Sequence, residues 1–261
     1  AACGGDVIID NCTPYMAHGF LDVMTAIGVD CNVYEETAAS GRRIGMHIAM
    51  KERPHPVNYI ATAPYPGFPT DMQPIVMAVL STASGESHIA ENIFENRLAV
   101  AKQLNRMGAD IIICDNRLAE IKGVPKLRGA SMQAQDLRAA AGLLVAALAA
   151  ESESVICNAE YILRGYENIS RDLALIGAEA VIEHGADYEE EVQKEPQLRK
   201  DENQEEISGL INAPSEITSL PADEKKEDAK ENVRVEPEKL NTGENSNVSQ
   251  AVSENVQEEK T

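Results

Sequence analysis

The 261-residue sequence contains no tryptophan and only three phenylalanines, and aromatic residues make up 4% of it. No apolar run reaches the roughly 18 residues that a membrane-spanning helix requires. No basic stretch followed by an apolar one marks a signal peptide near the start of the sequence. We therefore expect a protein that has no membrane as a partner.

Paired cysteines and metal-binding histidine motifs are also missing. The five cysteines are odd in number and widely spaced, and no Cys-x-x-Cys pair occurs. The five histidines show no His-Glu-x-x-His spacing. These patterns favour reduced thiols in the cytoplasm over disulfides or a zinc site. The five cysteines are Cys3, Cys12, Cys31, Cys114 and Cys157. We predict no metal and no other cofactor.

Charge is distributed unevenly along the chain. Residues 187–261 contain 21 acidic and 9 basic residues, which gives them a net charge of −12 out of the total of −20. They also lack the apolar pattern that a core needs, so we expect a disordered acidic tail that is dispensable for folding. Residues 1–186 should form one domain with a net charge of −8. This acidity argues against nucleic acid as a partner.

A threefold repeat organises residues 1–186. Each unit has a strand, a helix, a glycine typical of a helix C-terminus, and a second strand. The closing glycines are Gly28, Gly108 and Gly177, which lie 80 and 69 residues apart. Three such units predict an α/β fold with pseudo-threefold symmetry. Two further helices rich in small residues, which begin near Asp71 and Asp136, should pack inside it.

The first unit has no equivalent of these two inner helices. Only Ala1 and Ala2 stand where such a helix would end. We therefore expect that the chain begins inside a helix and is part of a longer protein. The absent helix should leave an apolar groove open beside Val7 to Ile9.

The stretch Tyr65-Pro-Gly-Phe-Pro-Thr-Asp-Met-Gln73 follows Pro64 and has two further prolines and a glycine before a helix start. Thr70 and Gln73 have the spacing of a capping box, which would place Asp71 in the first helical turn. A carboxylate there is held by free backbone N–H groups and stays ionised. Its role is either helix capping alone or chemistry at a site, and local sequence leaves both open.

Five stretches together resemble the UDP-N-acetylglucosamine enolpyruvyl transferases. They are Thr62-Ala-Pro-Tyr-Pro-Gly-Phe-Pro-Thr-Asp-Met-Gln73, Ile93-Phe-Glu-Asn-Arg97, Arg106-Met-Gly-Ala-Asp110, Asp136-Leu-Arg138 and Arg164-Gly-Tyr-Glu167. The resemblance implies the C-terminal part of such an enzyme, with a pseudo-threefold inverted α/β barrel fold. It also implies transfer of the enolpyruvyl group of phosphoenolpyruvate to the 3-hydroxyl of UDP-N-acetylglucosamine, with release of phosphate.

The resemblance assigns roles to six residues. Asp71 would be the general base at the sugar 3-hydroxyl, while the backbone of Ile93, with Phe94 beside it, would contact the nucleotide sugar. Asp136 would be a second site carboxylate, and Arg138 and Arg164 would bind phosphoenolpyruvate through planar guanidinium groups. Local readings remain for some of these positions. Asp136 could be only a helix cap, and Arg97 could be structural, line the cleft or form a solvated pair with Glu95.

The same resemblance implies a partner, namely the N-terminal portion of the enzyme. In the family that portion supplies a lysine–asparagine pair, a further arginine and a mobile loop with a reactive cysteine, and none of the five cysteines here has a matching context. Two alternatives stay open. One is the shikimate-pathway enolpyruvyl transferase, which shares the fold, and the other is a non-catalytic half-enzyme that acts as a binding or regulatory protein.

Overall fold

The computed structural model describes residues 1–13, 18–38, 41–184 and 231–236. Within these ranges the strands are β1 (Gly5–Ile9), β2 (Asp30–Ala38), β3 (Gly41–Met50), β4 (Ile60–Ala61), β5 (Glu86–Ala90), β6 (Asp110–Asp115), β7 (Leu118–Lys122), β8 (Ser131–Gln133), β9 (Ser154–Cys157), β10 (Glu179–His184) and β11 (Glu231–Glu236). The α-helices are α1 (His18–Ile27), α2 (Gln73–Leu80), α3 (Val100–Arg106), α4 (Leu137–Leu148), α5 (Glu160–Leu163) and α6 (Ile169–Leu175).

Three sheets repeat one strand arrangement, in the orders β1-β3-β2, β4-β5-β7-β6 and β8-β9-β11-β10. In each sheet a returning strand, β3, β7 or β11, pairs antiparallel with the first and the second strand of its unit. The predicted threefold α/β repeat is therefore confirmed. The returning strands were not predicted, because the repeat was evident from its helix-ending glycines and these strands lie beyond them.

The three glycines end their helices in the same way. Gly28, Gly108 and Gly177 have φ values of 99°, 85° and 91°, which is the left-handed region that glycine enters without a steric cost. After each glycine, the next amide bonds back across the last helical turn. The donors and acceptors are Val29 N to Met24 O at 3.0 Å, Ala109 N to Leu104 O at 3.2 Å and Ala178 N to Leu173 O at 3.0 Å.

Helices α2 and α4 lie at the centre of the fold and pack against each other. Met77 and Leu80 of α2 and Leu143 of α4 are fully buried. The two backbones approach closely at Gly142, where an added Cβ atom would lie 2.7 Å from the carbonyl oxygen of Pro74. The prediction that the small-residue helices lie inside is confirmed, since alanine and glycine are what allow this close packing.

The third unit differs from its prediction in one respect. One helix was expected before the turn at Gly177, whereas the unit has two separate helices, α5 and α6. Asn168 begins α6 as its N-cap, and its side chain accepts a hydrogen bond from Arg171 N at 3.0 Å. A residue in this capping conformation has non-helical φ and ψ values, so it interrupts the helix.

Strand β11 corrects the prediction of a disordered tail at residues 231–236. Residues 231–236 pair with β9 on one side and with β10 on the other, and Val233 and Val235 are fully buried. Arg234 Nη1 also lies 2.6 Å from Glu153 Oε1. The alternation Val-Arg-Val gives one apolar face, which is sufficient for a short strand inside an acidic segment. Residues 185–230 and 237–261 lie outside the described residues.

The start of the chain also differs from its prediction. Ala1 and Ala2 are not helical, and Gly4 and Gly5 have φ values of 75° and 112°, far from the helical region. Ala1, Ala2 and Gly4 border a cavity of about 830 Å³ whose wall includes Lys51, Arg53 and Leu148. The prediction of open apolar surface is confirmed, because Val7, Ile8 and Ile9 are 52%, 66% and 42% exposed.

Candidate functional site

The proline-rich stretch forms a closed turn in front of α2. Ala63 N donates to Phe68 O at 2.9 Å, and Gly67 N donates to Pro64 O at 2.8 Å. Phe68 is buried, and the first turn of α1 packs against the outside of Gly67, since an added Cβ at Gly19 would lie 2.5 Å from its carbonyl group. The turn therefore fixes the position of the residues that follow it, Thr70 to Met72.

The predicted capping box does not form. Thr70–Met72 is a 3₁₀ turn, and α2 follows it without a side-chain capping bond. Thr70 Oγ1 instead donates to Glu91 Oε2 at 2.9 Å and accepts from Arg97 Nη1 at 3.1 Å. Its hydroxyl is thus already engaged by two charged partners, which bind more strongly than a backbone amide. The interpretation of Asp71 as a cap alone is also wrong.

Asp71 lies between two arginines. Its Oδ1 accepts from Arg97 Nη1 at 3.0 Å and from Arg138 Nε, and its Oδ2 lies 3.4 Å from Arg138 Nη2. The Asp71 side chain is 57% exposed, whereas that of Arg97 is only 10% exposed. The alternative of a solvated pair between Arg97 and Glu95 is therefore wrong, and Arg97 is a largely buried structural support for the carboxylate.

These contacts set the charge state of Asp71. The hydrogen bond from Arg138 lowers the pKa of the Asp71 carboxyl below its ordinary value of 3.8, partial burial opposes this shift, and Arg97 adds to the lowering. The same contact raises the pKa of Arg138. Asp71 is thus an ionised carboxylate that points to solvent and is neutralised by two fixed cations.

Ile93 and Phe94 form an exposed edge beside this group. Their side chains are 39% and 51% exposed. Their amides do not face solvent, because both donate to Glu91 Oε1, at 2.9 and 3.0 Å. The guanidinium carbon of Arg97 lies 4.6 Å from the centre of the Phe94 ring, which is a cation–π distance. Arg97 therefore connects Phe94 with Asp71.

Asp136 and Arg138 stand at the first turn of α4. Asp136 is the N-cap and accepts from Arg138 N at 2.8 Å and from Ala139 N at 3.1 Å. The capping interpretation of Asp136 is confirmed, while its contact with a ligand stays a prediction. The cap also orients the start of α4, so that the Arg138 side chain reaches Asp71.

Arg164 follows α5 and is exposed. Its neighbour Gly165 lies so close to Leu137 that an added methyl group would overlap the Leu137 side chain, which places Arg164 near the start of α4. Within the described part of the chain, no hydrogen bond or ion pair engages the Arg164 guanidinium. It is therefore available to an anion, in contrast to Arg97 and Arg138.

The fold thus brings most of the predicted site residues together. Asp71 and Arg138 are in contact. Ile93 and Phe94 are held beside them, because their amides bind Glu91 and the Phe94 ring contacts Arg97, which binds Asp71. Glu91 and Thr62, which hold this edge, were not identified from sequence. The local signal was slight, because a glutamate at the end of a strand is ordinarily solvent-exposed and only the tertiary structure buries this one.

The arrangement has a clear chemical capability. Of the three guanidinium groups, that of Arg164 is exposed, and an exposed guanidinium suits phosphate and carboxylate groups of a ligand. The fixed carboxylate suits acceptance of a proton from a hydroxyl group.

Among the described residues, no helix is both apolar and long enough to cross a membrane.

Comparisons with known proteins show which proteins the chain is similar to. The family described as EPSP synthase (3-phosphoshikimate 1-carboxyvinyltransferase) matches residues 1–173. A protein named UDP-N-acetylglucosamine 1-carboxyvinyltransferase from Desulfofundulus thermocisternus is 44% identical over 178 residues, which are 68% of this chain and 69% of that protein. One of the same name from Kosmotoga olearia is 42% identical over 175 residues, which are 67% of this chain but only 39% of the relative.

A solved structure supports the fold. The enolpyruvyl transferase NikO from Streptomyces tendae matches with a TM-score of 0.53 and 28% identity, over 62% of this chain and 35% of that one. The chain therefore spans well under half of the Kosmotoga olearia relative and of NikO. By its sequence match, its repeated sheets and its inner helices, the chain belongs to the EPSP synthase family of carboxyvinyl (enolpyruvyl) transferases.

Proposed function

We propose that this chain carries part of the site that transfers the enolpyruvyl group of phosphoenolpyruvate to the 3-hydroxyl of UDP-N-acetylglucosamine, the first committed step of peptidoglycan synthesis. The observation that carries the proposal is the exposed Asp71 carboxylate, fixed between Arg97 and Arg138 beside the Ile93–Phe94 edge. Relatives named for this activity support the choice of sugar over shikimate as the acceptor. None of the five cysteines, all of which lie among the described residues, is in a disulfide, which supports a cytoplasmic setting.

In the proposed reaction Asp71 accepts the proton of the sugar 3-hydroxyl. The hydroxyl oxygen then forms a bond to the carbon of the enolpyruvyl group that bears the phosphate, and the bond from that carbon to the phosphate oxygen breaks. Phosphate leaves with the electron pair of that bond. No oxidation or reduction occurs, and the proton removed from the hydroxyl ends on phosphate or solvent.

Arg138 has to exchange partners for this step. While it binds Asp71, it lowers the pKa of that carboxyl and weakens it as a base. The carboxylate and phosphate of phosphoenolpyruvate are competing acceptors for the same planar guanidinium group. Transfer of Arg138 from Asp71 to this substrate would raise the pKa of Asp71, so that the base becomes competent when the second substrate is bound.

The remaining predicted residues fit around this pair. The exposed Arg164 supplies a second guanidinium for phosphoenolpyruvate, and its neighbour Gly165 packs against Leu137, the residue before Arg138. The backbone at Ile93, with Phe94 beside it, contacts the nucleotide sugar. Asp136 acts near the substrates through its control of the first turn of α4.

The proposal includes a partner, because the chain spans only 39% of the Kosmotoga olearia relative. We propose that a complementary N-terminal portion supplies the other wall of the cleft and covers the exposed side of β1. Residues 1–186 would form the domain that faces this cleft, and residues 187–261 would form an extension that contributes β11.

The test is an assay of phosphate release from phosphoenolpyruvate. The chain alone should show no release that depends on UDP-N-acetylglucosamine, since half of the groups around the substrates are absent. Release should appear when the part of the Kosmotoga olearia relative that this chain does not match is added in trans. In that mixture Asp71→Asn should lower kcat about a hundredfold or more with little change in KM.

The matched control is Asp172→Asn. Asp172 is also exposed and paired with an arginine, Arg171, at 2.9 Å, but it lies on α6 away from the site. Its substitution should leave kcat unchanged. Sugar binding without any phosphate release in the complemented mixture would favour the non-catalytic binding protein, and release with shikimate 3-phosphate as acceptor would favour the shikimate enzyme.

A further inference from the structure

Glu91 is a buried carboxylate that the reaction proposed above does not use. It follows β5 and is only 1% exposed. Its Oε1 accepts from Thr62 Oγ1 at 3.0 Å, from Ile93 N at 2.9 Å and from Phe94 N at 3.0 Å, and its Oε2 accepts from Thr70 Oγ1 at 2.9 Å. All four partners are donors, so together they hold a carboxylate in one orientation.

Glu91 Oε2 is linked by a chain of hydrogen bonds to Asp71, the proposed base. Thr70 Oγ1 donates to Glu91 and accepts from Arg97 Nη1 at 3.1 Å. The same Nη1 donates to Asp71 Oδ1 at 3.0 Å. Glu91 is therefore connected to Asp71 through one hydroxyl and one guanidinium group, and Arg97 has little freedom because its side chain is only 10% exposed.

Glu91 Oε1 binds the Ile93–Phe94 edge, which would contact the nucleotide sugar. It binds the amides of Ile93 and Phe94, and Thr62 completes the turn by accepting from Asn92 N at 2.8 Å. The Phe94 ring also lies against the Arg97 guanidinium group, so the Ile93–Phe94 edge contacts the arginine that binds Asp71.

We infer that Glu91 is a positioning residue that holds the Asp71 turn and the Ile93–Phe94 edge in one fixed arrangement through its two carboxylate oxygens. The inference rests on the proposed function, because it deepens the account of that site. Glu91 touches neither substrate. It acts on the reaction by setting where the base stands relative to the bound sugar, and a displacement of about 1 Å at such a position is enough to slow a reaction about a hundredfold.

The first experiment uses the 261-residue chain without any substrate. Glu91→Gln keeps the size of the side chain and replaces one acceptor oxygen by an amide donor, so the charge-assisted bonds are lost. The amides of Ile93 and Phe94 should then exchange hydrogen about tenfold faster, as measured by NMR. Glu86→Gln, at the exposed opposite end of β5, is the control and should change neither amide.

The second experiment measures kinetics in the complemented mixture. Thr70→Val removes the hydroxyl between Glu91 and Arg97 and should lower kcat about tenfold while KM for the nucleotide sugar stays constant. Thr70→Ser should restore kcat. Glu91→Gln should lower kcat to the same degree and also raise KM. Thr82→Val, which removes another buried threonine hydroxyl whose bond to Val79 O is 3.1 Å long, is the control.

The double variant gives the sharpest result. Glu91→Gln and Thr70→Val break the same link, so kcat of the double variant should equal that of the lower single variant. Multiplied losses, or unchanged exchange at Ile93 and Phe94, would overturn the inference. If the complemented mixture shows no sugar-dependent release at all, the proposed function fails, while the exchange of the two amides still decides whether Glu91 holds this edge.

Discussion

Asp71 is the residue whose charge the fold controls most directly. Its folded pKa lies below 3.8, mainly because of the hydrogen bond from Arg138. A carboxyl with a depressed folded pKa stabilises the fold above the unfolded value, and this contribution is lost as the pH falls through the lower folded value. Because the side chain is more than half exposed, salt should reduce the effect.

The corresponding prediction is an NMR titration of side-chain carboxyl groups. Asp71 should titrate with a midpoint below 3.8 in the 261-residue chain, and Arg138→Gln should raise that midpoint. Arg171→Gln, which removes the partner of Asp172, should leave the Asp71 midpoint in place. A midpoint at 3.8 or above in the unsubstituted chain would mean that Arg138 does not bind Asp71 in solution, and the exchange of partners proposed for Arg138 would lose its basis.

At the scale of elements, β11 is the feature with the clearest energetic consequence. It occupies the position in its sheet that β3 and β7 occupy in theirs, between the first and second strands of the unit. Without it, β9 and β10 would face each other across an unpaired gap, with backbone donors and acceptors unsatisfied. The acidic segment therefore contains a structural strand.

Substitution of Val233 tests this role. Val233 is fully buried in β11, so Val233→Ala should lower the free energy of unfolding by about 2 kcal/mol, through lost transfer free energy and the cavity left behind. Val181→Ala on the adjacent β10 removes the same atoms from a side chain that is 55% exposed, and its effect should stay within about 0.5 kcal/mol. Urea denaturation of both variants measures the difference. Equal stability of the two would show that β11 is not docked in solution.

At the scale of the whole molecule, the first sheet is the uncovered part. β1 is an edge strand, and Val7, Ile8 and Ile9 are exposed along it, while the second and third units have α2 and α4 packed at the centre. An exposed apolar edge strand presents unpaired backbone groups to other chains. We therefore expect the isolated chain to self-associate through this edge, despite a net charge of −20 that opposes association.

Sedimentation velocity over a range of protein concentrations tests this expectation. Ile8→Lys should shift the distribution toward the monomer, because it places a charge on the 66% exposed position of the edge. Leu175→Lys makes the same change at an 80% exposed position on α6 and should leave the association unchanged. Addition of the complementary portion should also suppress association; persistence of association in Ile8→Lys would place the contact elsewhere.

The amino-acid sequence by itself determined the repeat and the residue types of the site. The three closing glycines are local features, because each helix end requires a residue that tolerates positive φ, and they were predicted correctly. The Asp136 cap is local in the same sense. Likewise, the small residues of α2 and α4 predicted buried helices without reference to the rest of the chain.

Only the tertiary structure decided which groups meet. Thr70 faces Glu91 and Arg97 rather than its own helix, because side chains 21 and 27 residues away offer charged partners that no local pattern reveals. Glu91 is buried partly for the same reason: two of its four donors are the amides of Ile93 and Phe94 close by in the chain, but the hydroxyls of Thr62 and Thr70 reach it only in the fold. Strand β11 joins its sheet because β9 and β10 leave one strand position open, a property of the sheet and not of the acidic sequence around Val233.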